Sequence, residues 1–136
     1  AGTKQPVYEQ QAEAIVPGFV EFTGALYDQQ LEAAFRRADI FVLPGLGGLA
    51  VQEAMSWSLP VIVGDGDGTQ DDLVTPQNGW NITPGCVESL TTAITDAISD
   101  CARLRKMGRE SYRVVREEVN LEQMVDEMLG AVQHFA

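Results

Sequence analysis

Asp39-Ile40-Phe41-Val42-Leu43-Pro44-Gly45-Leu46-Gly47-Gly48-Leu49-Ala50-Val51-Gln52-Glu53-Ala54-Met55 decides how this chain folds. The unbroken apolar run from Ile40 to Leu43 reads as a strand covered on both faces. Glycines follow it, and Gly48 to Trp57 reads as a helix. A strand, a glycine turn and a helix opening aim several backbone N–H groups at one point beyond the strand end. The free N–H groups and the macrodipole make that point favourable for an anion. Glycines let a ligand approach the main chain with no Cβ in the way. Glu53 stands in the second helical turn, and helical side chains lean toward the N-terminus, so its carboxylate reaches toward the same point. N–H groups for phosphate and a carboxylate for ribose or sugar hydroxyls suit a nucleotide. Leu49, Ala54 and Met55, around Glu53, read as buried.

Outward from this segment the pattern alternates. Pro6 to Val16 has helical spacing in Val7, Tyr8, Ala12 and Ile15, and Pro17-Gly18 stops it. Phe19 to Thr23 reads as a short strand. Asp28 to Arg37 reads as a helix with Leu31, Ala34, Phe35 and Ala38 on its apolar face. Pro60 introduces a buried strand, Val61 to Val63. The Gly64–Gly68 loop follows, and Thr69 caps a short helix to Val74. Gly79 to Thr83 is a weaker strand. Beyond it come three helices, 87–99, 102–118 and 121–135. Strands alternating with helices specify an α/β fold, a parallel sheet with helices on both faces. Ligands of such sheets bind beyond the carboxyl ends of the strands. The glycine turn and the Gly64–Gly68 loop both belong at that edge.

Composition narrows the partners. The chain has 136 residues, the size of one domain, and a net charge of −11. That charge argues against nucleic acid or an anionic surface as partner of the chain as a whole. No apolar run is long enough to span a bilayer. Cys86, Cys101 and the single His134 form no zinc pattern, and two free thiols fit a reducing, cytoplasmic setting. The Asp65-Gly66-Asp67-Gly68 stretch lacks the glycine and glutamate that a calcium loop requires at its sixth and twelfth positions; Gln70 and Pro76 stand there. No metal is therefore expected. The series Arg103, Arg105, Lys106, Arg109, Arg113, Arg116 reads as a solvated helix face, or else as a contact for an acidic partner or a membrane. Gly45-x-Gly47-x-x-Ala50 with Asp65 matches a dinucleotide fingerprint. Pro44 after the strand, the elements that precede it, and Glu53 on the helix weaken that alternative.

With these residues in view, the chain resembles the C-terminal half of a group 1 (family 4) glycosyltransferase of the GT-B fold. The resemblance rests on Ala38-Asp39 through Pro44, Gly48-Leu49, Glu53-Ala54-Met55, Leu59-Pro60-Val61-Ile62, Asn78-Gly79-Trp80, the helix around Ser89-Leu90, and Met107-Gly108. It implies a Rossmann-like donor-binding domain over residues 1–136, incomplete at its N-terminus. It also implies a retaining transfer from a nucleotide-diphosphate sugar, with no cofactor beyond that donor. The backbone at Leu46, Gly47, Gly48 and Leu49 is implied to hold the diphosphate and sugar, and Glu53 the ribose. The family motif has two glutamates eight positions apart. The first would fall at position 45, where this chain has Gly45, and Ser58 stands where the family prefers glycine.

The resemblance further implies a separate N-terminal acceptor domain and a basic pair for the diphosphate ahead of Ala1. A sheet lacking its first strands would expose an edge and favour self-association. The fragment alone is expected to be inactive. The full-length enzyme is expected in the cytoplasm, with room for contact at the inner face of a membrane. The competing readings are a sugar-nucleotide epimerase of the same fold, for which a histidine near the glycine turn is wanting, and a non-catalytic α/β binding module.

Overall fold

The computed structural model describes residues 4–45, 47–64 and 73–118, together with residues 125 and 129. The chain divides into two compact units, Ala1–Ala34 and Phe35–Ala136. Helix α1 (Gln5–Ile15) lies in the first, and α2 (Asp28–Arg37) runs across the boundary. The second holds β1 (Phe41–Leu43), α3 (Gly48–Ser56), β2 (Val61–Gly64), β3 (Gly79–Ile82), α4 (Val87–Ser99) and α5 (Cys101–Glu118).

The three strands form one parallel sheet in the order β1-β2-β3. Phe41 pairs with Val61, and Val61 with Gly79. Alternation along the strands sorts the core into two layers. Phe41, Leu43, Val61 and Val63 pack with Val51, Ala54 and Met55 of α3 and Val114 of α5. Val42, Ile62, Trp80 and Ile82 pack with Leu90, Ala93 and Ile94 of α4. Helices thus cover both faces, as the sequence pattern requires. Val51, Met55, Val61, Ile62 and Val63 are fully buried, and each contributes on the order of 1.5–3 kcal/mol through removal from water. β2, the central strand, is buried throughout. β1 is only half-buried, because one of its edges has no strand beside it among the described residues.

Phe19–Thr23 is not a strand, contrary to the sequence reading. An extended segment becomes a strand only when a neighbour takes up its N–H and C=O groups. In the doubly wound order 3-2-1-4-5-6, the strand ahead of the fourth lies at the far edge and pairs with the second, not with the fourth. No described residue supplies that neighbour. Phe19 is accordingly 80% exposed, and Ile15 and Tyr27 are open as well. The remaining boundaries agree to within one or two residues. The expected short helix after Thr69 and the expected helix 121–135 fall largely outside the described residues.

Two close contacts fix α3 against its surroundings. Its C-terminus closes with Ser58 N–H donating to the Met55 carbonyl at 3.0 Å and Leu59 N–H donating to the Ala54 carbonyl at 3.3 Å. This is the Schellman arrangement, with Ser58 in the left-handed region at φ 60°. Helix α5 then presses Gly108 onto that turn. A Cβ at Gly108 would stand 2.1 Å from the Ser58 carbonyl oxygen.

Candidate functional site

The carboxyl edge of the sheet is where β1 and β2 end in glycine. Gly64 closes β2, and a Cβ there would stand 2.9 Å from the Pro44 carbonyl carbon and oxygen. The end of β2 therefore lies directly against the turn that follows β1. The sequence reading placed these two loops at one edge but did not identify Pro44 as their contact. The signal was a glycine closing a run of three buried apolar residues. The loop that continues at 65–72 lies outside the described residues, and with it the Asp65–Asp72 carboxylates.

Gly47 is the N-cap of α3 and supplies no side-chain hydrogen bond to the helix. The first bond into the helix is Val51 N–H to the Gly47 carbonyl, 3.2 Å. The N–H groups of Gly48, Leu49 and Ala50 precede it and have no acceptor within the helix. Among the described residues, a Cβ built on Gly45 or Gly48 meets nothing within 4 Å, and one on Gly47 meets the flexible end of Leu43. No acidic residue stands in the first turn of α3 to compete for these N–H groups, and no Lys or Arg lies between Pro44 and Ser56. Attraction for an anion from this stretch comes from main-chain dipoles alone.

Glu53 is exposed, one and a half turns into α3. Among the described residues its carboxylate makes no hydrogen bond or ion pair, while its backbone carbonyl accepts from Ser56 Oγ at 2.6 Å. The structure places the residues read from the sequence as follows. Gly47 and Gly48 open the helix, and Glu53 follows on it. Ala54 and Met55 are buried as expected. Leu49 is not: it is 84% exposed. The inner face of α3 is Val51, Ala54 and Met55, at helical spacing, and Leu49 stands off that face in the first turn. Leu46 lies outside the described residues.

A parallel α/β sheet with helices on both faces defines a Rossmann-like domain, and an uncapped helix opening stands at its carboxyl edge. The chain matches Glycosyl transferases group 1 over residues 1–114 and belongs to that family. It is 33% identical over 100 residues to the sulfoquinovosyl transferase SQD2 of Arabidopsis thaliana, covering 68% of this chain and 20% of that one. It is 28% identical over 99 residues to a GDP-mannose-dependent alpha-(1-6)-phosphatidylinositol monomannoside mannosyltransferase of Mycolicibacterium smegmatis, covering 65% of this chain and 26% of that one. The chain thus spans between a fifth and about a quarter of these relatives.

Among solved structures, sucrose-phosphate synthase from Thermosynechococcus elongatus superposes with a TM-score of 0.80 at 24% identity, over 98% of this chain and 35% of that one. The C-terminal domain of a glycosyl transferase group 1 family protein from Francisella tularensis gives 0.73 at 22% identity, over 87% and 63%. These likenesses carry the fold: the three-stranded parallel sheet and its helices belong to the C-terminal domain of the GT-B architecture.

Proposed function

We propose that this chain forms the donor half of a nucleotide-sugar-dependent, retaining glycosyltransferase. The observation that carries the reading is the glycine-walled opening of α3 at the carboxyl edge, with free first-turn N–H groups and no side-chain cap. The N–H groups around Leu46, Gly47, Gly48 and Leu49 receive the donor's diphosphate and hold its growing charge as the glycosidic bond to it breaks. The exposed, unpaired Glu53 accepts hydrogen bonds from ribose hydroxyls; bonds to an ionised acceptor are stronger than neutral ones. The two relatives named above transfer sugars, and one is named for a GDP-linked donor. That supports a nucleotide-diphosphate sugar as the substrate class. We assign the acceptor to a separate domain and the cationic partner of the diphosphate to residues outside this chain. We further assign the reaction no resident metal or cofactor.

The test is a titration of the longer enzyme that carries this chain with UDP and with GDP, by calorimetry, with and without EDTA. One nucleotide diphosphate binds saturably and the chelator leaves its affinity unchanged. The 136-residue chain transfers no sugar by itself. Failure of both nucleotides to bind, or sugar transfer by the isolated chain, overturns the reading.

A further inference from the structure

The charges of this chain are segregated. Six of its nine cations stand on α5, against three of its twenty acids. The buried side of α5 is Leu104, Met107, Gly108, Ser111 and Val114. Arg105 with Lys106 beside it, then Arg109, Arg113 and Arg116 at steps of three or four residues, run along the opposite, exposed side, a stripe about 16 Å long. Arg113 is held by Glu110 and Glu117 at 2.7 and 3.0 Å. Arg105, Lys106 and Arg109 make no ion pair among the described residues. Exposed Tyr112 lies along the same stripe.

A second observation adjoins the first. Arg105 also lines a groove of about 420 Å³ at the amino edge of the sheet, opposite the glycine turn. Its walls are apolar, from Phe35, Trp57, Leu104 and 63%-exposed Ile98. Arg36 and Asp39 stand beside them, and Arg36 lies over the Trp57 ring at 5.0 Å.

We propose that the α5 stripe and this groove together form a docking surface for an anionic phospholipid bilayer. Cations beside an apolar groove match an amphiphile with an anionic head, whereas a purely acidic peptide would use the cations alone and leave the groove idle. The chain's net charge of −11 opposes such contact only at long range. Charges are screened over about 8 Å at physiological salt, so the face presented decides the sign. Each cation brought to an anionic surface adds about fivefold in affinity. The proposal is independent of the donor site, because its readout involves no nucleotide.

The experiment is sedimentation of the 136-residue chain with mixed phosphatidylcholine–phosphatidylglycerol vesicles and with pure phosphatidylcholine vesicles. We expect binding to the mixed vesicles only, weakened by salt and reduced about 100-fold in Arg105→Ala/Lys106→Ala/Arg109→Ala. Arg109→Ala alone loses about fivefold, and serves if circular dichroism shows the triple variant unfolded. Lys4→Ala, outside α5, retains binding. Equal binding to both vesicles, no binding at low salt, unchanged affinity in the α5 variants, or capture by polyglutamate in place of vesicles overturns the proposal.

Discussion

The two ends of α3 are built in opposite ways. At its C-terminus the chain turns back on the helix: Ser58 and Leu59 return their N–H groups to Met55 and Ala54, Leu59 joins the core, and α5 lies against the turn. At its N-terminus the described residues close nothing: Gly47 caps without a side chain, the first-turn N–H groups have no acceptor within the helix, and Leu49 is exposed. A side-chain N-cap would add only a few tenths of a kcal/mol over glycine, and this helix forgoes it. Burial of Val51, Ala54 and Met55 outweighs that loss. The closed end of α3 lies at the amino edge of the sheet and the uncapped end at the carboxyl edge.

The sharpest break of this contrast is at Gly108. Alanine in a helix interior is ordinarily favourable over glycine by about 1 kcal/mol. Here the added Cβ meets a backbone carbonyl at 2.1 Å, and neither helix nor turn can give way cheaply. Gly108→Ala is expected to destabilise by about 3 kcal/mol, the scale of overpacking in a core. Chemical denaturation measures it. A neutral or stabilising result would show that α5 does not press on the α3 turn.

Glu53→Gln tests the open end. Shape is kept and charge removed. Donor affinity in the longer enzyme is expected to fall by about 1.5–3 kcal/mol, the range for hydrogen bonds to a charged group. Unfolding should move little, since the carboxylate is exposed and has no partner among the described residues. Donor titration and thermal unfolding must both be run. Unchanged affinity with a large drop in melting temperature would make Glu53 a structural residue.

Ser58→Gly refines the closed end. Ser58 holds φ 60°, a conformation that costs an L side chain about 1 kcal/mol or more. Glycine removes that cost and gives some back in unfolded-state entropy. A gain of about 0.5–1 kcal/mol is expected in denaturant midpoint. A loss would mean that the serine hydroxyl contributes something the backbone geometry does not reveal.

These residues also show what the sequence could and could not reveal. The strand–glycine–helix segment was readable because Ile40–Leu43 and Val61–Val63 are unbroken apolar runs ended by proline or glycine, as a parallel strand covered on both faces requires. Ser58 drew notice only as a departure from a family preference for glycine. Its φ supplies the physical reason for that preference. Phe19–Thr23 misled because its composition is that of a strand, while strandness depends on a neighbour that composition cannot report. Leu49 misled for a related reason: an apolar residue in an amphipathic helix is assumed to face inward, yet the buried face of α3 is set by Val51, Ala54 and Met55, and Leu49 stands off it. The placement of Glu53 and the glycines at the opening of one helix was legible from their spacing. The exposure of Glu53, and the contact of Gly64 with Pro44, needed three dimensions.

The smallest expected effect lies on the other face of the sheet, away from both ends of α3. Asp96 of α4 accepts from Trp80 Nε1 at 2.9 Å and is held by Arg103 of α5 through two contacts. Arg103 also lies over the Trp80 ring at 5.5 Å, so one carboxylate ties β3, α4 and α5 together. The Arg103 guanidinium first, and the Trp80 indole second, hold the Asp96 carboxyl below its ordinary 3.8. A lowered folded value means that the unfolded chain binds the proton more readily. The contribution is complete above the ordinary value and drains away as pH falls through the lower folded one. Asp96 is open to solvent, so its contribution is modest. Asp96→Asn should therefore narrow the stability difference between neutral and strongly acid solution, with denaturation curves at both pH values as the measurement. A variant whose acid sensitivity matches that of the parent would show that this three-element tie carries no pH-dependent stability, and that acid unfolding begins elsewhere.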